Sequence, residues 1–182
     1  TFFMKLFNFK ILSSFLIFFI SFLTHFGYDK FPNLITSFLF PVNESIFEHM
    51  KMIFSSYLIY YIIEFFYFRK NNINSINNNS NKILSLTLNI IIFLSMYLPV
   101  YYTFGYNTIT TLTIYYISIL ITQLINYKIL ESKKEYIFFN KYCYFILLIY
   151  FLLFIYLTYY PLKEDIFIDK SNNKLGLKNY YT

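Results

Sequence analysis

Residues 83–127 read ILSLTLNIIIFLSMYLPVYYTFGYNTITTLTIYYISILITQLINY, and not one of them is charged. A helix needs ~20 mostly apolar residues to cross a hydrocarbon core of ~30 Å, so the stretch is long enough for two crossings. Gly105-Tyr106-Asn107 near its middle is a turn signal. It divides the run into spans at 83–104 and 108–128. Backbone in lipid must satisfy its own hydrogen bonds, which makes these segments helices. They are too long, and alternate too little, for barrel strands.

The same length test, carried outward, finds three more spans at about 11–28, 45–68 and 137–160, the last stopping at Pro161. The expected fold is an all-α integral membrane bundle of about five transmembrane helices, forming a single domain over 1–182. An Asn-rich stretch at 71–82 has no apolar face to bury and is expected as a surface loop. Residues 161–182 form a polar tail. Met4-Lys5, Lys10 and the apolar run after them resemble a signal peptide. No small-residue cleavage site follows in Thr24–Tyr28, so an uncleaved first span is expected.

Composition agrees. Hydrophobic residues make up 58% of the chain and charged residues 13%, about half the charged share of a soluble domain. That excludes a soluble enzyme and a disordered chain. The net charge of +6 would suit nucleic acid, but the chain has no Ala, no Trp and a single arginine, Arg69. Such a bias reflects AT-rich coding, and the lysines are scattered rather than gathered on one stripe. The expected partner is the lipid bilayer, with no nucleic acid. The lone cysteine, Cys143, permits no internal disulfide and reads as a small core residue.

Basic residues set the orientation. With five spans, Lys5, Lys10, Arg69, Lys70, Lys82, Lys128, Lys133, Lys134 and Lys141 share the side of the N-terminus. The expectation is N-terminus inside and C-terminus outside. Ionisable groups near the membrane interior cost ~2.5–3.5 kcal/mol each and need a reason. They are densest in Pro41-Val-Asn-Glu-Ser-Ile-Phe-Glu-His-Met-Lys51, where the second span begins. His25 ends the first span on the same expected outer side, as do Tyr101, Tyr102, Thr103, Asn107 and Thr108 from the third and fourth.

On a helix, Glu44 and Glu48 lie four apart on one face, with Lys51 beyond them and His49 on a neighbouring stripe. His25, Glu44, Glu48 and His49 thus offer two imidazoles and two carboxylates. That set suits zinc, manganese or iron better than calcium. Without a metal, Glu44 or Glu48 with His49 would form an acid–base pair and be the catalytic residues. The spacing matches no established metal motif: adjacent Glu48 and His49 point ~100° apart. The plainer reading is a helix start, in which Ser45-x-x-Glu48 is a capping box and the helix dipole favours the glutamates. A second polar layer comprises Glu64, Asn89, Gln123 and Asn126. Glu64 lies near Arg69-Lys70 and is expected to pair or snorkel there. No phosphate loop, nucleophile elbow or dinucleotide fingerprint occurs.

At these residues the chain resembles a family of small bacterial multi-pass membrane proteins catalogued only as a domain of unknown function. The resemblance is carried by the Pro-Val-Asn-Glu-Ser-x-x-Glu-His motif at 41–49. It continues in Leu23–Asp29, Ile63–Phe65, Tyr101–Thr103, Thr122–Lys128 and the tail around Tyr160-Pro161, Phe167–Asp169 and Gly176-Leu177. Members usually carry Trp where Phe47 stands. The resemblance implies a bacterial cytoplasmic membrane protein and implies no activity. The family motif matches His25, Asn43, Glu44, Ser45, Glu48, His49, Lys51, Glu64 and Gln123.

The expected function is a membrane-embedded enzyme or binding protein with a polar pocket at the outer interface, acting on a lipid-like or small-molecule ligand. The alternative is a small transporter or accessory membrane subunit in which the same groups bind an ion or hold helices together.

Overall fold

The computed structural model describes residues 2–179. Five long helices dominate: α1 (Phe2–His25), α4 (Ile46–Lys70), α5 (Asn78–Phe104), α6 (Thr108–Glu131) and α7 (Ile137–Tyr159). Two short helices, α2 (Gly27–Lys30) and α3 (Leu34–Leu39), link α1 to α4. After α7 comes a turn at Asp165–Phe167. An antiparallel meander of β1 (Ile168–Asp169), β2 (Lys174–Leu175) and β3 (Lys178–Asn179) follows, pairing in the order β1-β2-β3. The all-α bundle stands, with this small sheet added in the tail.

Among the described residues, four helical segments are long and apolar enough to cross a membrane: Met4–Lys30, Asn78–Phe104, Thr108–Glu131 and Ile137–Tyr159. The expected fifth, α4, is as long but falls outside this set, and it carries Glu48, Lys51 and Glu64. All three are buried. α7 buries one stripe, Cys143, Leu147, Phe154 and Thr158, and exposes large apolar side chains around much of the rest. A helix that is apolar all round belongs in lipid. These are the features of a membrane protein.

The chain forms two compact units. One comprises Thr1–Phe19 and Ile59–Cys143. In it α5 and α6 pack as a hairpin. Gly105 (φ 77°) ends α5, and the Asn107 side chain caps α6 by accepting from the Thr110 amide at 3.0 Å. Asn81, Ser85 and Asn89 on α5, and Ser118, Thr122 and Asn126 on α6, repeat every four residues and are fully buried. Asn89 Nδ2 donates to Ser118 Oγ (3.0 Å) and Thr122 Oγ1 (3.5 Å) across this seam. Between α1 and α4, the Phe9 and Tyr67 rings stack 3.7 Å apart.

Two expectations about this unit are corrected. The Asn-rich stretch is not all surface loop: α5 starts at Asn78, and Asn77, Ser80 and Asn81 are fully buried. Asn77 Nδ2 donates to the carbonyls of Ile129, Ser132 and Lys134, and its Oδ1 accepts from the Tyr136 amide at 3.0 Å. A short amide can replace secondary structure for an irregular α6–α7 connection, and burial follows from those bonds rather than from hydrophobicity. Lys10 is not a loop charge either. It lies inside α1 and is fully buried, with Nζ 2.5 Å from Glu64 Oε1. Glu64 therefore pairs with Lys10 rather than with Arg69-Lys70.

The other unit comprises Ile20–Leu58 and Tyr144–Thr182. Its α3 begins with a capping box: Asn33 Oδ1 accepts from the Thr36 amide (3.0 Å) and Thr36 Oγ1 from the Asn33 amide (3.1 Å). Ser37 Oγ meets Tyr159 OH at 2.7 Å, tying α3 to the end of α7.

Candidate functional site

The motif at 41–51 folds as a turn followed by the first coil of α4, all within the second unit. α4 starts at Ile46, two residues after Glu44. Asn43 Oδ1 accepts from the Ser45 amide (2.9 Å), and Ser45 Oγ accepts from the Glu48 amide (3.3 Å). Half of the expected capping box forms. The Glu48 carboxylate does not close it, being engaged elsewhere.

That engagement separates the two glutamates. Glu48 and Lys51 are 1% and 0% exposed, with Nζ 2.6 Å from Oε2. Lys51 also donates to the Ser37 carbonyl (3.0 Å) and to Thr158 Oγ1 (2.9 Å). Thr158 Oγ1 donates on to Glu48 Oε1 (2.8 Å), and the Val42 amide donates to Glu48 Oε2 (3.2 Å). All three ammonium protons and both carboxylate oxygens are used. A buried ion pair persists only with this kind of full satisfaction. It joins α3, the motif turn, α4 and α7.

Glu44 sits before the helix, not on a face shared with Glu48, and turns to the histidines. Its Oε2 lies 3.3 Å from His25 Nε2 and 3.6 Å from His49 Nε2. The three donor atoms lie within 4.8 Å of one another. His49 Nδ1 is 2.9 Å from the Ser45 carbonyl, which must receive its N–H. That bond fixes the tautomer and leaves the Nε2 lone pair facing the cluster. The hydrogen bond from His25 holds the Glu44 carboxyl below its usual range, with partial burial opposing it and both imidazoles favouring the anion. Glu44 remains 42% exposed, so the cluster is open to an incoming ligand.

The tail closes over the motif. Asn43 Nδ2 donates to the Gly176 carbonyl (2.8 Å), and the Glu44 amide donates to Asp169 Oδ2 (3.1 Å). Phe47 stacks on Phe167 with ring centroids 4.7 Å apart. Asp169 is 1% exposed. Burial opposes its charge, but bonds from the Ser171 hydroxyl and the Glu44, Ser171 and Asn172 backbones outweigh it and hold its carboxyl below the usual range.

The residues of this turn and tail fall within a single family match. The model of a family of unknown function, DUF6512, matches residues 3–177. The chain belongs to DUF6512. In this DUF6512 chain the match takes in the motif, both histidines and the tail through Gly176-Leu177. No curated protein and no solved structure matches the chain significantly.

Of the residues singled out in the sequence, the fold of this DUF6512 member gathers His25, Glu44 and His49, and gives Glu48 to Lys51. Tyr101, Tyr102, Thr103, Asn107 and Thr108 belong to the first unit. There Asn107 caps α6 and Thr103 Oγ1 bonds back to the Pro99 carbonyl (2.7 Å). Sequence reasoning missed Thr158 and the burial of Lys10. Only Lys10 left a signal, as a charge placed against an otherwise apolar run.

Proposed function

We propose that this chain is a multi-pass membrane protein that binds a divalent transition metal on His25, Glu44 and His49, and presents it to a lipid-like or other amphiphilic ligand. The observation that carries the reading is the convergence of the three donor atoms. Bonds of ~2.1 Å in a tetrahedral site separate ligand atoms by ~3.4 Å. The distances from Glu44 Oε2, 3.3 and 3.6 Å, already bracket that value. Two imidazoles with one carboxylate are the ligand set of several zinc and iron centres, and three protein ligands leave a position open for water or substrate. A metal there would polarise a phosphoryl or acyl oxygen and lower the pKa of bound water. The Ser45 carbonyl would orient His49 behind it.

α4 counts as a fifth span in this reading. Its ionisable groups are paired inside the protein, which removes most of the cost of crossing. The excess of basic residues on the N-terminal side supports an N-terminus inside the cell and, with it, a cluster at the outer face.

The test is metal content of the purified protein, beside Glu44→Ala/His49→Ala and Glu48→Gln variants. The reading expects about one zinc, manganese or iron per chain, lost in the double variant and retained in Glu48→Gln. Absence of metal from wild-type protein that also takes none up when offered each ion overturns it.

A further inference from the structure

Two of the three donors in the histidine cluster are held from the tail, all within the second unit. The first route runs to Glu44. Its amide donates to Asp169 Oδ2 at 3.1 Å, so the backbone behind the carboxylate is fixed by a residue 125 positions further on. The second route runs to His49. The Gly176 carbonyl accepts from Asn43 Nδ2 (2.8 Å), Asn43 Oδ1 accepts from the Ser45 amide (2.9 Å), and the Ser45 carbonyl receives the His49 Nδ1 proton (2.9 Å). Phe47, in the same turn of α4 as His49, stacks on Phe167 of the tail and packs against Phe154 of α7. His25 arrives separately, from the end of α1.

Asp169 is committed to this role. Besides the Glu44 amide, it accepts from the Ser171 amide (2.8 Å), the Ser171 hydroxyl (2.6 Å) and Asn172 Nδ2 (3.5 Å). A carboxylate accepts about four hydrogen bonds, so Asp169 is filled and acts on the motif backbone rather than on a metal. Groups placed behind metal ligands in this way fix their orientation and, for imidazole, the tautomer. The dependence runs in the other direction too. The strands of the tail are two residues long each, too short to stand without the surface they rest on.

We propose that the tail is the ordering element of the metal site, with Asp169 and the Gly176 carbonyl as the groups that position Glu44 and His49, so that metal binding and tail docking strengthen each other. The proposal rests on the metal reading of the cluster. Such coupling is reciprocal: whatever factor the docked tail adds to metal affinity, bound metal returns to docking.

The experiment titrates the full chain in detergent with zinc, manganese and ferrous iron, and follows amide exchange over residues 165–177 with and without the ion that binds tightest. Asp169→Asn should weaken that ion by ~10–100-fold, the usual cost of losing a group behind a ligand. Asp165→Asn breaks only the exposed pair with Lys170 (2.8 Å) in the same tail and should stay within about twofold of wild type. In wild type the metal should slow tail exchange at least ~tenfold while the amides of α3, in the same unit, keep their rates. A tail that merely covers the motif would give neither effect. Metal bound by wild type with unchanged affinity in Asp169→Asn, or without slowing of the tail beyond α3, overturns the proposal and leaves the metal site standing. No metal bound by wild type overturns both. If Asp169→Asn does not fold, the metal dependence of tail exchange in wild type decides.

Discussion

Lys51 Nζ lies 2.6 Å from Glu48 Oε2 with both side chains buried, so Glu48 is held in an ion pair while Glu44 faces the histidines. Removing one member strands the other in a dry environment. Glu48→Ala or Lys51→Ala should therefore destabilise the protein by ~3–5 kcal/mol. A Glu48→Met/Lys51→Met double variant should cost clearly less than either single change, because it strands no charge. Thermal unfolding in detergent measures the difference. Equal losses in all three would show that packing, not the ion pair, matters here.

The tail's hold on the motif should weaken in acid. Asp169 has its carboxyl below the usual value of 3.8. A group depressed in the folded state contributes its full stabilisation above the unfolded pKa and loses it as pH falls through the folded one. Tail docking should thus be intact at neutral pH and loosen only below about pH 4. Amide exchange at Glu44 and Ser171, whose N–H groups bond Asp169, reports it directly. Asp169→Asn should show the fast exchange already at pH 7.

The long helices were legible because their cause is local. Gly105 and Asn107 stop one helix and cap the next wherever the rest of the chain lies, and α5 and α6 end and begin where those residues put them. Pairing of buried charges was not legible. Glu64 has Arg69 one turn away in sequence, yet its partner is Lys10, fifty-four residues distant. Glu44 and Glu48 share a helical face only if the helix includes both. Ser45, by turning its amide to Asn43 and its hydroxyl to Glu48, starts the helix too late for that. The histidine cluster was visible as a set of residue types. Its separation from Glu48 depends on Thr158, a residue no pattern marks.

Gly176 and Gly105 both have positive φ, 60° and 77°, but their substitution should differ. A Cβ on Gly105 meets nothing within 4 Å, so Gly105→Ala carries only the penalty of ~1–3 kcal/mol for a backbone region that glycine alone populates readily. A Cβ on Gly176 would lie 2.3 Å from the Thr158 carbonyl, which backbone cannot yield. Gly176→Ala should lower stability by at least ~1 kcal/mol more than Gly105→Ala. It should also expose the tail to limited proteolysis between 165 and 177, whereas Gly105→Ala leaves the tail resistant.

Asn77 offers a sharper test of whether the Asn-rich stretch is filler. Its amide holds three carbonyls and one N–H of the α6–α7 connection. Each neutral bond contributes ~0.5–1.5 kcal/mol, and a buried group left unsatisfied costs ~1–3 kcal/mol. Asn77→Ala should therefore destabilise by ~2–4 kcal/mol, although the change is small and apolar. Asn72, which has positive φ and lies outside the helix, makes a control: Asn72→Gly should be within ~0.5 kcal/mol of wild type. Denaturant or thermal midpoints of the two variants measure the contrast. Equal, negligible losses would return the whole 71–82 stretch to the status of a surface loop.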